Sequence, residues 1–184
     1  MNPANRLTVL RILLVPVFIA ALLYYSPERH YFYLVSLVAF LLACLTDALD
    51  GYLARKYDQK TVLGSYIDPI ADKLLLVSGF LCLSFMSHLP DSMRIPAWFT
   101  ILVIARDGII LIGSIMIFAT TGHLKAQPLY IGKITTVLQM AALFLSLVSS
   151  PDQIKIMILV ITGILTLASG IQYIRMGGKM LQAP

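Results

Sequence analysis

YFYLVSLVAFLLACLTDAL, residues 31–49, decides the fold: no Asp, Glu, Lys or Arg occurs in it before Asp47. A helix rises about 1.5 Å per residue, so roughly 20 apolar residues cross a hydrocarbon core about 30 Å thick. Five further runs have the same character, at about 7–25, 69–88, 95–119, 129–148 and 154–174. Little chain is left between them, and no soluble domain fits there. The reading is an all-α integral membrane protein with six transmembrane helices and a single domain over 1–184. Arg6 and Arg11 ahead of the first run imitate a secretory signal, but the run is long and no A-x-A cleavage site follows, so it reads as a retained span.

Composition agrees. Of 184 residues 59% are hydrophobic and 12% charged, and the mean hydropathy is +0.86. Soluble domains carry about 25% charged residues, so a water-soluble enzyme, a disordered chain and a nucleic-acid-binding domain are poor fits. The net charge of +5 is scattered between apolar segments, which suits anionic lipid headgroups rather than nucleic acid. Cys44 and Cys82 lie singly in apolar runs and form no framework.

Lys and Arg sort by side. With the N-terminus inside, the cytoplasmic face receives Arg6, Arg11, Arg55, Lys56, Lys60, Lys73, Lys125, Lys133, Arg175 and Lys179. The outer loops keep Arg29, Arg94 and Lys155, and Arg106 is undecided. Both termini are then cytoplasmic, as is the polar stretch from Tyr52 to Tyr66. Ser26-Pro27, Leu89-Pro90 and Ser150-Pro151 mark outer turns.

Nine acidic residues need placing. Glu28, Asp91 and Asp152 fall in outer loops and Asp58 in the cytoplasmic stretch. Asp47, Asp50, Asp68, Asp72 and Asp107 remain in or at the edge of apolar helices, where an ionisable group costs about 2.5–3.5 kcal/mol on insertion scales. Asp47 and Asp50 are spaced i, i+3 and Asp68 and Asp72 i, i+4, so each pair shares a helix face. Asp68-Pro69 reads as a helix start, Asp capping and Pro at the first position. Four carboxylates converging from two neighbouring helices select a hard cation, Mg²⁺ or Mn²⁺, and carry enough charge for two ions. The alternative, buried salt bridges to Lys73, Arg55 and Arg106, needs fewer acids than are present. Two such ions bridging a diphosphate stabilise both oxygens of an in-line displacement. Gly51 and Gly64 would let backbone approach that ligand, although either taken singly reads as a packing or turn residue, and Arg55 offers a fork for phosphate oxygens.

Taken together, Asp47-x2-Asp50-Gly51-x2-Ala54-Arg55-x8-Gly64-x3-Asp68-x3-Asp72 matches the full signature of the CDP-alcohol phosphotransferase family, which the chain resembles over essentially its whole length. Asn5-x-Leu7-Thr8-x2-Arg11, with Pro16 beyond it, is similar to the opening of the family's glycerophospholipid synthases. The resemblance implies transfer of a phosphatidyl group from CDP-diacylglycerol to an alcohol with release of CMP. It implies Asp47, Asp50 and Asp68 as metal ligands, with Asp72 the general base and a further ligand. Gly51, Ala54 and Gly64 then border the cytidine, Arg55 lies near the phosphates, the acyl chains leave laterally into the bilayer, and the enzyme is a homodimer.

Arg106 and Lys133 are the residues read as acceptor-binding; a mid-span Arg is expensive unless it meets a partner such as Asp107 or a substrate phosphate. The family's phosphatidylglycerophosphate synthases typically show Arg-Glu, a further Arg, Gly-Lys-x-Lys-Thr and a Lys after the second signature glycine. Here the positions read Arg106-Asp107 without a second Arg, Gly132-Lys133-Ile134-Thr135-Thr136, and Gly64-Ser65. With three basic positions missing, the chain more resembles the CMP-forming cardiolipin synthases, whose acceptor is phosphatidylglycerol; glycerol 3-phosphate is the alternative acceptor. Aromatic prenyltransferases lack the DGxxAR run. A cation channel or transporter would place its acids near mid-membrane, whereas these sit at one edge beside a basic stretch. His30, His88 and His123 are isolated and give a His-based metal site little support.

Overall fold

The computed structural model describes the backbone of residues 3–56, 62–121 and 130–182, and the side chains of residues 7–49, 71, 73–115 and 130–178. Among them there are six long α-helices and no strand. These are α1 (Pro3–Leu23), α2 (Tyr31–Lys56), α3 (Val62–Phe85), α4 (Ala97–Thr121), α5 (Tyr130–Leu147) and α6 (Asp152–Gln182). The three Pro-marked connections are found as turns, the first two with a short 3₁₀ segment, Pro27–Arg29 and Asp91–Met93. At the third, Ser149 takes φ 51, and the Ser150 N–H bonds Leu145 O at 3.1 Å while the Ser149 N–H bonds Ser146 O at 3.2 Å. That is a Schellman ending, which closes α5 without a glycine.

Two readings of the acid-bearing stretch change. The stretch from Tyr52 to Tyr66 is not all connection: α2 runs on to Lys56 and α3 begins at Val62. Leu53, Ala54, Arg55 and Lys56 are good helix formers with no glycine or proline among them, so nothing stops α2 there. Asp68-Pro69 therefore lies inside α3 and does not start it. Pro69 removes one backbone hydrogen bond from a 24-residue helix, a loss that membrane helices tolerate; α1 likewise runs through Pro16.

The helices divide into two compact units, Met1–Arg94 and Ile95–Pro184. In the first, α1 packs on both α2 and α3, which touch each other little. The register of α1 on α2 follows from three pairs: Arg11 with Asp47, Phe18 with Phe40 at 6.0 Å between ring centroids, and Tyr24 with Phe32, also at 6.0 Å. One number rises as the other falls, so the helices are antiparallel. The α1 face is Thr8, Arg11, Val15, Phe18 and Leu22, all buried at alternating spacings of three and four, the stripe a helix presents to a neighbour. Ser36, Ala39, Phe40, Ala43 and Thr46 form the matching buried stripe of α2. Thr46 donates to Ala43 O at 2.8 Å and Ser36 to Tyr33 O at 2.8 Å, so these buried hydroxyls are satisfied within the helix. His88 places Nε2 2.9 Å from Leu22 O, tying the turn after α3 to the end of α1.

In the second unit α6 packs on both α4 and α5, and small residues set the closeness of approach. A Cβ on Gly163 would lie 3.4 Å from the Trp98 ring, and one on Gly113 would lie 3.3 Å from the Tyr173 ring. The seam between α5 and α6 is polar: Thr135, Gln139 and Ser146 face Thr162, Thr166 and Ser169, all buried. Gln139 Nε2 donates to Thr166 Oγ1 at 3.4 Å and Thr166 to Thr162 O at 2.7 Å. Outside, Leu111, Ile112, Val137 and Ile164 are exposed. Polar residues inside and large apolar ones outside invert the soluble pattern and fit a lipid surround. Lys155, read as an outer-loop charge, lies instead in the first turn of α6, buried, with Nζ 3.0 Å from Asp152; its partner three residues back lets it stay there.

Among the described residues four stretches are long and apolar enough to cross a membrane, Tyr31–Leu49, Asp91–Ile115, Tyr130–Leu147 and Asp152–Gly178. The apolar stretches described in α1 and α3, Leu7–Leu23 and Lys73–Phe85, are shorter.

Candidate functional site

The acid motif is carried by the end of α2, with Asp47, Asp50, Gly51, Ala54 and Arg55, and the first half of α3, with Gly64, Asp68 and Asp72. The side chains of Asp50, Gly51, Ala54, Arg55, Gly64, Asp68 and Asp72 lie outside the described residues. Asp47 is described. It continues the α2 stripe one residue past Thr46, which brings it to α1, and its Oδ1 lies 2.9 Å from Nη1 of Arg11. Arg11 is fully buried, while the Asp47 side chain keeps 36% exposure. One carboxylate oxygen is thus committed to the protein and the rest of the group is open to a ligand.

That geometry fits a metal ligand, and the donor set of the motif is entirely hard oxygen, as Mg²⁺ or Mn²⁺ requires. Among the described residues no group of three or more His, Cys, Asp or Glu side chains gathers to hold a metal. Neither Lys73, Arg55 nor Arg106 had to be the partner of Asp47: Arg11 is, and the sequence reading missed it. The signal was present in the 8, 11, 15, 18, 22 spacing, which puts Arg11 on the packing stripe of α1.

In the second unit Arg106 is buried and sits at the meeting of three helices. Nη1 donates to Oδ1 of Asp107 at 2.8 Å and Nη2 to Oγ of Ser169 at 2.7 Å. The Arg106 and Asp107 side chains are 7% and 10% exposed, so this pair is closed where the Arg11 pair is half open. Gly132 of α5 faces the guanidinium: a Cβ there would come within 3.0 Å of Nη2, and one on Gly170 of α6 would lie 3.6 Å from Cγ of Arg106. Lys133, next along α5, is exposed. The sequence anticipated Asp107 as a partner of Arg106 but not Ser169, Gly132 or Gly170, each on another helix. Further along, Ser114 Oγ and Tyr173 Oη are 2.5 Å apart and join α4 to α6 again.

Comparison with known proteins adds to this geometry. A family model described as CDP-alcohol phosphatidyltransferase matches residues 1–168. A protein of Mycobacterium tuberculosis (strain H37Rv) named "Probable phosphatidylglycerophosphate synthase" is 35% identical over 177 residues, 94% of this chain and 80% of that protein. Two proteins named "CDP-diacylglycerol--glycerol-3-phosphate 3-phosphatidyltransferase" are similar over nearly the full length of both partners. The one from Haemophilus influenzae is 34% identical, covering 95% of this chain and 93% of its own. The one from Aquifex aeolicus is 32% identical, covering 98% of each.

Proposed function

The chain belongs to the CDP-alcohol phosphatidyltransferase family and is an enzyme that transfers a phosphatidyl group; from that premise we propose that its donor is CDP-diacylglycerol and its acceptor glycerol 3-phosphate. The observation that carries the acceptor is the near-complete correspondence, 98% of both chains in one case, with relatives whose names state that reaction. The three missing basic positions by themselves favour phosphatidylglycerol, and these relatives outweigh them. A monoester phosphate needs well-directed donors more than it needs many, and Arg106 is such a donor. Of the five N–H groups of a guanidinium, two are used, by Asp107 and Ser169, and the fork is held for the rest.

In the proposed reaction the acceptor hydroxyl oxygen attacks the phosphatidyl phosphorus, the bond from that phosphorus to the bridging oxygen breaks, and CMP departs. Asp72 takes the hydroxyl proton, which a positioned carboxylate can do in the transition state. Asp47, Asp50 and Asp68, with Asp72 as a further ligand, would hold two divalent ions, Mg²⁺ or Mn²⁺, which supply charge stabilisation on the diphosphate. Gly51, Ala54 and Gly64 border the cytidine, Arg55 binds the phosphates, and Arg106 and Lys133 bind the acceptor.

The same reading carries six spans in one domain over 1–184, with both termini and the active site on the cytoplasmic side, and a homodimer. The 21 residues of α1 and 24 of α3 support six, since at about 1.5 Å per residue each reaches a bilayer thickness. The acceptor is tested by supplying purified enzyme with CDP-diacylglycerol, a divalent ion, and glycerol 3-phosphate or phosphatidylglycerol. CMP release should be faster with glycerol 3-phosphate; release with phosphatidylglycerol alone would return the enzyme to the cardiolipin synthase reading.

A further inference from the structure

We propose that Ser169 and Gly132 are positioning residues for acceptor recognition: one pins the Arg106 guanidinium and the other leaves it room, so that its free edge is presented to the acceptor phosphate. The inference rests on the acceptor role proposed for Arg106, and Ser169 lies one residue beyond the stretch that the family model matches.

A guanidinium at the end of three methylenes has several rotamers, and a fork recognises a phosphate only if its plane is fixed. Here two contacts from two helices fix it. Asp107, on α4 itself, holds Nη1 at 2.8 Å; Ser169, on α6, holds Nη2 at 2.7 Å and is itself buried. Two anchored nitrogens define a plane, whereas Asp107 alone would let the group pivot about one bond. The Nε atom is buried and has no hydrogen-bond partner among the described residues, so the group is directed but not saturated.

The third wall is Gly132. A side chain there would intrude to 3.0 Å from Nη2, although one on Gly170, against the Arg106 stem, would stop at 3.6 Å from Cγ. The first distance requires Nη2 to give by a few tenths of an ångström and the second is ordinary contact. The two glycines therefore make a matched pair. Gly132→Ala displaces the tip of a flexible side chain with little strain on the backbone, and Gly170→Ala leaves Arg106 where it is.

The test measures KM for glycerol 3-phosphate, KM for CDP-diacylglycerol, kcat and melting temperature in full-length protein. Ser169→Ala and Gly132→Ala should raise KM for glycerol 3-phosphate about tenfold, the loss of one charge-assisted hydrogen bond, and leave KM for CDP-diacylglycerol within twofold. Ser169→Thr, which keeps the hydroxyl, should restore most of the acceptor affinity, and Gly170→Ala should match the native enzyme. A merely structural role would lower the melting temperature and move both KM values together. Arg106→Lys separates the two layers of the argument. If it leaves KM for glycerol 3-phosphate unchanged, the acceptor role of Arg106 is wrong. If it raises that KM while Ser169→Ala and Gly132→Ala do not, the positioning inference alone is overturned.

Discussion

Two buried arginines, one in each unit, are paired with aspartates in opposite ways. Arg11 reaches across from α1 to Asp47 on α2, at 2.9 Å, and its partner remains 36% exposed. Arg106 pairs with Asp107 beside it on α4 at 2.8 Å, and both side chains are buried to 10% exposure or less. In the first pair the protein leaves the carboxylate open on one side. In the second it satisfies the carboxylate and leaves N–H groups of the cation unspent. A carboxylate offered to a ligand recruits cations; a guanidinium offered to a ligand recruits anions. The division matches the two substrates of the proposed reaction, a metal-bridged diphosphate and a small phosphate.

The comparison breaks most visibly at the carboxylate motif. Asp72→Asn should cut kcat by about 10²–10⁴, the usual contribution of a general base, while binding of CDP-diacylglycerol, read by displacement of a fluorescent analogue, survives. Retained turnover would remove Asp72 from the base role. Next in size is the closed pair. Arg106→Met leaves Asp107 charged and enclosed, and should destabilise the protein by about 3–5 kcal/mol in a denaturant or thermal assay. The double change Arg106→Met with Asp107→Leu should recover most of that stability without recovering glycerol 3-phosphate binding, which separates the structural from the recognition role. The half-open pair should respond less: Arg11→Met leaves Asp47 able to reach solvent or a cation, with a loss on the order of 1–3 kcal/mol. Equal losses at the two arginines would erase the distinction between them.

The acid motif was legible in sequence because its cost makes it conspicuous. Asp47, Asp50, Asp68 and Asp72 stand at the edges of runs that otherwise exclude charge, and intervals of three and four place them on helix faces. The apolar runs likewise announced the helices, but not their ends. The stretch 52–66 suggested a connection, yet Leu53 to Lys56 favour helix by propensity and carry α2 on, while α3 takes in Gly64 and Ser65 although neither favours helix. The pairings were the least legible. Arg11 meets Asp47 because α1 and α2 are antiparallel in one register, and Ser169 meets Arg106 because glycines let α4, α5 and α6 come close. Such contacts join residues 36 and 63 positions apart; their interaction is set by packing, which no local spacing encodes. Lys155 illustrates the reverse: placed among the outer-loop charges by sequence, it lies buried in the first turn of α6, paired with Asp152 three residues before it.

The central claim is that the phosphatidyl group passes to the hydroxyl of glycerol 3-phosphate with CMP as leaving group. It is tested most directly with glycerol 3-phosphate carrying ¹⁸O in the attacking hydroxyl, incubated with CDP-diacylglycerol, Mn²⁺ and the purified enzyme, with the products read by mass spectrometry. The account predicts phosphatidylglycerophosphate that retains the label, unlabelled CMP in equal amount, and no reaction in EDTA. Label appearing on a cytidine product, with phosphatidic acid released, would mean attack at the other phosphorus and would contradict it.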